Sequence, residues 1–201
     1  MGKPVQHHND QEYRSVVIEF RAKEDSRTVE GYAAIFGSVA DLGGFNETIA
    51  AGAFDGADMR DVRALFNHEP SAILARTASG TMALSIDEKG LKYSFEMPDT
   101  TLGNDLLEMM RRGDINQSSF AFTVDSVAWT SIDGQPELRT ITKVSAVYDV
   151  SPVTYPAYEN TEVALRSRQA VAPDKKEDPA GFSDEVITDI KFHQQLLQAA
   201  N

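Results

Sequence analysis

His68, the Ser118–Ser119 pair and Asp149 supply the three side-chain types that hydroxyl-based acyl transfer requires. A serine hydroxyl is a weak nucleophile at neutral pH, so a base must take its proton during attack. Histidine suits that role because its ordinary pKa lies near 6.5. A carboxylate can then orient the imidazole and stabilise its charged form. Each of the three stands at the edge of an apolar run: Leu65-Phe66-Asn67-His68-Glu69, Gln117-Ser118-Ser119-Phe120-Ala121-Phe122 and Val147-Tyr148-Asp149-Val150-Ser151-Pro152. Each also has an ordinary structural reading. A histidine at a strand end packs, serines at a strand start bond local backbone, and an aspartate near a proline sits in a turn. The order His, Ser, Asp does not discriminate, because triads are defined by geometry.

The elements that must position these residues read as short strands. Ser15 to Phe20 is β-branched and aromatic, and Thr28 to Phe36 alternates, so the two are expected to form a hairpin. Ser38 to Ala53, with Gly43-Gly44 and Gly52, reads as a long loop. Val62 to Phe66, Ile73 to Ala75, Met82 to Asp87 and Gly90 to Glu96 follow as strands. The period then changes. Asp99-Thr100-Thr101 is an N-cap cluster, Leu102, Leu106, Met109 and Met110 recur at helical spacing, Arg111 and Arg112 fill the last turn, and Gly113 stands at C′. Period two returns at Ser119 to Val124, Val127 to Thr130 and Leu138 to Tyr148, with Asp133-Gly134 as a turn signal.

Composition narrows the function. The chain has 201 residues, 19 Lys plus Arg, 31 Asp plus Glu and a net charge of −12. That balance opposes broad nucleic-acid binding and adsorption to an anionic membrane. No run approaches the length of a membrane span, and the polar N-terminus lacks an apolar signal region, so a soluble intracellular protein is expected. The absence of cysteine removes thiolate metal sites and cysteine nucleophiles. Four histidines without an HExxH pattern offer no zinc site, and no cofactor is expected. Residues 1–14, with His7 and His8, read as a flexible lead-in, and 15–166 as one domain. Residues 167–184, charged with two prolines, read as a linker, and 185–201 as a helical tail.

Four segments together resemble the Caudovirales prohead serine protease family. These are Gly31 to Val39 (GYAAIFGSV), Ala64 to Glu69 (ALFNHE), Asp99 to Phe122 (DTTLGNDLLEMMRRGDINQSSFAF) and Asp149 to Tyr158 (DVSPVTYPAY), in the family's order and spacing. The resemblance implies a mainly β (α+β) fold, a herpesvirus-protease-like β-barrel with surrounding helices. It implies a serine endopeptidase acting inside the immature prohead, in the host cytoplasm, on the scaffolding part of the major capsid protein and on itself. The charged linker would be a natural place for self-cleavage. Homodimerisation follows from the assemblin relatives.

Carried over residue by residue, His68 matches the family histidine, Ser119 the nucleophile and Asp149 the acidic residue. Ser118 stands where the family commonly has an apolar residue, leaving two serines in the motif. Asp149 is one methylene shorter than the glutamate that more often opens the closing block, so either the backbone is closer or the third group is only weakly engaged. Arg139 is a candidate anchor for an oxyanion hole and equally a surface strand residue. The alternative to an enzyme is a non-enzymatic internal capsid scaffold with a protease-like fold.

Overall fold

The computed structural model describes residues 11–17, 26–131 and 134–155. The lead-in with His7 and His8, the end of the first expected strand, Asp133, the linker and the helical tail lie outside the described residues. Among the described residues, ten strands and one helix follow in order: β1 (Glu12–Val17), β2 (Thr28–Ile35), β3 (Ala40–Asp41), β4 (Asn46–Ile49), β5 (Arg63–Phe66), β6 (Glu69–Arg76), β7 (Met82–Ile86), β8 (Gly90–Glu96), α1 (Thr101–Arg112), β9 (Gln117–Thr130) and β10 (Leu138–Val153). The fold is mainly β, as the sequence predicts.

The strands form two sheets. The larger runs β1-β9-β10-β4-β3, with β5 joining β10 and β6 joining β5; the smaller is β2-β8-β7. β1 and β2 therefore do not form the expected hairpin. β1 pairs antiparallel with β9, and β2 pairs with β8 in the other sheet. Sequence adjacency favours the hairpin, but β2 pairs with β8 so that Val29, Ala33, Ala34 and Phe95 of the smaller sheet pack into the core. The expected loop over Ser38 to Ala53 contains β3 and β4. Its polar Asn46, Glu47 and Thr48 are nonetheless buried, beside β10 in parallel register.

β9 and β10 run longer than their apolar patterns suggest, because bulges let the ladder bend without ending. The register shifts between Ile141 and Lys143, Lys143 and Val144, Val144 and Ala146, and Val147 and Asp149. Bulges increase twist and curl a sheet. The curl is visible in side-chain contacts. Glu12 stands opposite Phe122, which stands opposite Val147, yet the Glu12 carboxylate takes two bonds from Arg139, at 2.7 and 2.8 Å. A flat strand would separate positions 139 and 147 by about 26 Å. No closed barrel forms among the described strands.

Inside the curl, Arg14 and Arg139 meet Glu12 and Glu47, so β1, β4 and β10 are tied by a four-member network of zero net formal charge. Arg139 is fully buried there. It is not a surface residue, and its two terminal nitrogens both serve carboxylates. Nearby, Phe120 and Phe122 stack at 4.4 Å and Phe54 approaches Phe120 at 6.1 Å.

α1 forms as its caps predict. Thr100 Oγ1 accepts from the Gly103 amide at 3.1 Å, and Gly113 takes the left-handed conformation at φ 82°. Leu106, Leu107 and Met110 pack into the core. Residue 103 must be glycine, because a Cβ there would lie 2.2 Å from the Pro98 carbonyl oxygen.

Candidate active site

Strand alternation sorts the two serines. Residues i and i+2 share a face, and directly opposed residues in an antiparallel pair share it too. Ser118 lies on the face of Phe120 and Phe122, where the buried Tyr93 hydroxyl donates to its Oγ at 3.1 Å. Burial pushes the Tyr93 phenol up, against the smaller effect of that bond. Ser119 lies on the opposite face with Ala121.

Two cross-strand rows build that face. Tyr13 on β1 opposes Ala121 on β9, which opposes Asp149 on β10. In the next row, Ser15 opposes Ser119, which opposes Ser151. Ser119 and Asp149 are thus diagonal neighbours, about 7–8 Å apart between backbones and less between side chains.

His68 closes over this face from the turn between β5 and β6. Phe66 pairs with Glu69, so Asn67 and His68 are the two central residues, at φ 54° and 57°. Positive φ at both is the type I′ hairpin turn, which matches the twist of its strands. Asparagine adopts it readily, whereas histidine carries a backbone cost. That cost is met by long-range bonds. The Asn67 amide donates to the Pro152 carbonyl at 3.0 Å, Asn67 Nδ2 donates to Thr154 Oγ1 at 3.2 Å, and the Thr154 amide donates to Asn67 Oδ1 at 2.8 Å.

The His68 ring then touches both ends of the first row. Its Nδ1 lies 2.6 Å from Asp149 Oδ1, and its ring meets Tyr13 edge-on at 4.7 Å between centroids. Because Tyr13 and Asp149 flank Ala121, the imidazole lies across Ala121, which is fully buried. A small residue at 121 makes room for the ring. The shorter carboxylate at 149 therefore does engage His68. A carboxylate oxygen accepts, so Nδ1 donates to it, and in a neutral ring Nε2 is then the nitrogen open to a proton. The same Asp149 Oδ1 also accepts from the buried Ser151 hydroxyl at 2.7 Å.

The structure joins His68 to Asp149 and sets Ser119 in the adjacent row. It does not bond Ser119 to His68: Ser119 Oγ and His68 Nε2 are both buried without a hydrogen-bond partner among the described residues. Catalytic hydrogen bonds are often long before substrate binds. Tyr13, Asn67 and Ser151 were not singled out from sequence. The i, i+2 spacing of Asp149 and Ser151 is a sequence signal that could have placed these two on a shared face. Burial, and then the nearby Asp149 charge, raise the Tyr13 phenol above its ordinary range.

A family model described as caudovirus prohead serine protease matches residues 16–176. The chain belongs to the caudovirus prohead serine protease family. That match spans β2 to β10 and every residue of the candidate site except Tyr13 and Ser15. No curated protein and no solved structure matches the chain. Prohead serine proteases are hydrolases of bacteriophage capsid maturation, so family membership supplies the reaction class.

Proposed function

We propose that this prohead protease is a serine endopeptidase with Ser119 as nucleophile, His68 as general base and Asp149 as the group that orients His68. The observation that carries the reading is the imidazole bonded to Asp149 through Nδ1 and set edge-on against Tyr13, one row from Ser119. Ser119 attacks the scissile carbonyl as its proton passes to Nε2. The amine leaves with that proton, and water then hydrolyses the acyl-enzyme. The opposite orientation of Ser118, held by Tyr93, favours Ser119 of the two serines.

The substrate proposed is the scaffolding part of the major capsid protein, cut inside the immature prohead in the host cell, together with the chain's own charged segment 167–184. We divide the chain into a lead-in at 1–14, a protease domain at 15–166, that linker, and a helical tail at 185–201 that recruits scaffold. The curl of the large sheet supports a barrel-like relation to the herpesvirus proteases, and with it a homodimer; neither nucleic acid nor membrane is a proposed partner.

The complete burial of the Ser119 hydroxyl favours a second reading, a protease-like scaffold without activity. One experiment separates them. The full chain is incubated with a fluorophosphonate probe, and intact mass and peptide mapping locate the adduct. The protease reading expects a phosphonyl group on Ser119, with the P–F bond broken and fluoride released, and no adduct in Ser119→Ala. An unlabelled wild-type chain that also leaves co-expressed capsid protein uncut overturns it.

A further inference from the structure

We infer that Ser151 is a positioning residue for the triad, acting through Asp149; this rests on the protease reading of the same site. Three observations converge on it. Ser151 is fully buried, and its hydroxyl spends its one proton on Asp149 Oδ1 at 2.7 Å. That oxygen is the one facing His68 Nδ1 at 2.6 Å. Ser151 is also the residue directly opposite Ser119.

The direction of that hydroxyl decides its role. A hydroxyl has one donor hydrogen. Aimed at Ser119, Ser151 would bond the lone pair that must attack. Aimed at Asp149, it fixes which carboxylate oxygen meets the imidazole and leaves Ser119 Oγ uncommitted, as observed. A carboxylate on χ2 rotates in a broad well, so a second donor on the same oxygen is what holds it in line. The arrangement is short-range: Asp149 and Ser151 are i and i+2 on one strand, so β10 itself sets their separation. Hydrogen bonds to charged groups are the stronger class, and losing one at this point is expected to slow the reaction about tenfold.

The test is a double-mutant cycle in the full chain, read as the rate of fluorophosphonate labelling at Ser119. Ser151→Ala is expected to slow labelling about tenfold in the wild-type background and by about twofold or less in Asp149→Ala, because a residue acting through Asp149 has nothing left to act on. Equal losses in the two backgrounds, or no loss in either, overturn the inference. A second readout does not depend on activity. In chain labelled with ¹⁵N-histidine, the His68 Nδ1 proton resonance should move in Ser151→Ala while the other histidines stay in place. An unmoved resonance overturns the inference as well. If wild-type Ser119 does not label at all, the protease reading fails, and the resonance still reports whether Ser151 governs the Asp149–His68 bond.

Discussion

Asn67 and Thr154 hold each other in both directions: the Asn67 side-chain amide donates to the Thr154 hydroxyl, and the Thr154 amide donates back to the Asn67 carbonyl oxygen. The pair fastens the β5–β6 turn to the end of β10, and His68 is the next residue in that turn. Asn67→Ala loses both bonds and puts a poor residue in the left-handed region, for an expected loss of about 2–3 kcal/mol. Asn67→Gly keeps the backbone preference and loses only the bonds, so about 1–2 kcal/mol. Urea unfolding measures both, and an Ala variant as stable as Gly would show that the turn does not depend on its φ values.

Ser118 and Ser119 should respond differently to the same change. Ser119→Ala is expected to lower turnover about 10⁶-fold, as loss of a triad serine does elsewhere. Ser118→Ala is expected to keep activity and lose about 1–3 kcal/mol of stability, because the buried Tyr93 hydroxyl is left without its acceptor. Adding Tyr93→Phe should recover part of that loss. Activity lost in Ser118→Ala and kept in Ser119→Ala would reverse the assignment.

Ala121 gives a test of the space beneath the imidazole. Ala121→Val adds two methyl groups under the His68 ring, where exposure is zero. Overpacking of this kind costs about 1–3 kcal/mol. Displacing His68 by 1 Å is expected to lower the labelling rate at Ser119 about 10²-fold. Normal labelling in a folded Ala121→Val chain would place the ring elsewhere.

The buried network predicts acid lability. Burial pushes the Glu12 carboxyl up, but the bond from Arg139 and the charges of Arg14 and Arg139 outweigh it and hold Glu12 below the ordinary glutamate range. The folded value is the lower one, so the stabilisation is complete above the unfolded value of about 4.3 and is lost as pH falls through the folded value. Urea midpoints should fall steeply below about pH 4 and less steeply in Glu12→Gln. Removing the cation is harsher: Arg139→Ala leaves two buried carboxylates sharing Arg14 as their one cation and should cost about 3–5 kcal/mol.

Local signals were legible in the sequence, and long-range pairings were not. α1 could be read from Thr100 to Gly113 because its caps and apolar spacing lie within one short window. β4 reads as loop because Asn46 and Glu47 look solvent-loving until Arg139, more than ninety residues later, neutralises Glu47. The β1–β2 hairpin was the local solution, and the sheet chose a partner for β1 about a hundred residues away. The same split runs through the site. His68, Ser119 and Asp149 stand out through their motifs, whereas Ser151, Asn67 and Tyr13 acquire meaning only when the register of β1, β9 and β10 is known.

Strand β10 holds Arg139, Asp149 and Ser151, and Thr154 follows it directly. Translation therefore delivers Ser119 and His68 well before the strand that joins them. At ribosomal speed the 30 residues from Ser119 to Asp149 take about 1.5–6 s. Through that interval the nascent chain carries the proposed nucleophile and base with no carboxylate to align them. On the protease reading, latency during synthesis is thus written into the order of the strands, and the proposed site is complete only when the last described strand is laid between β9, β4 and β5.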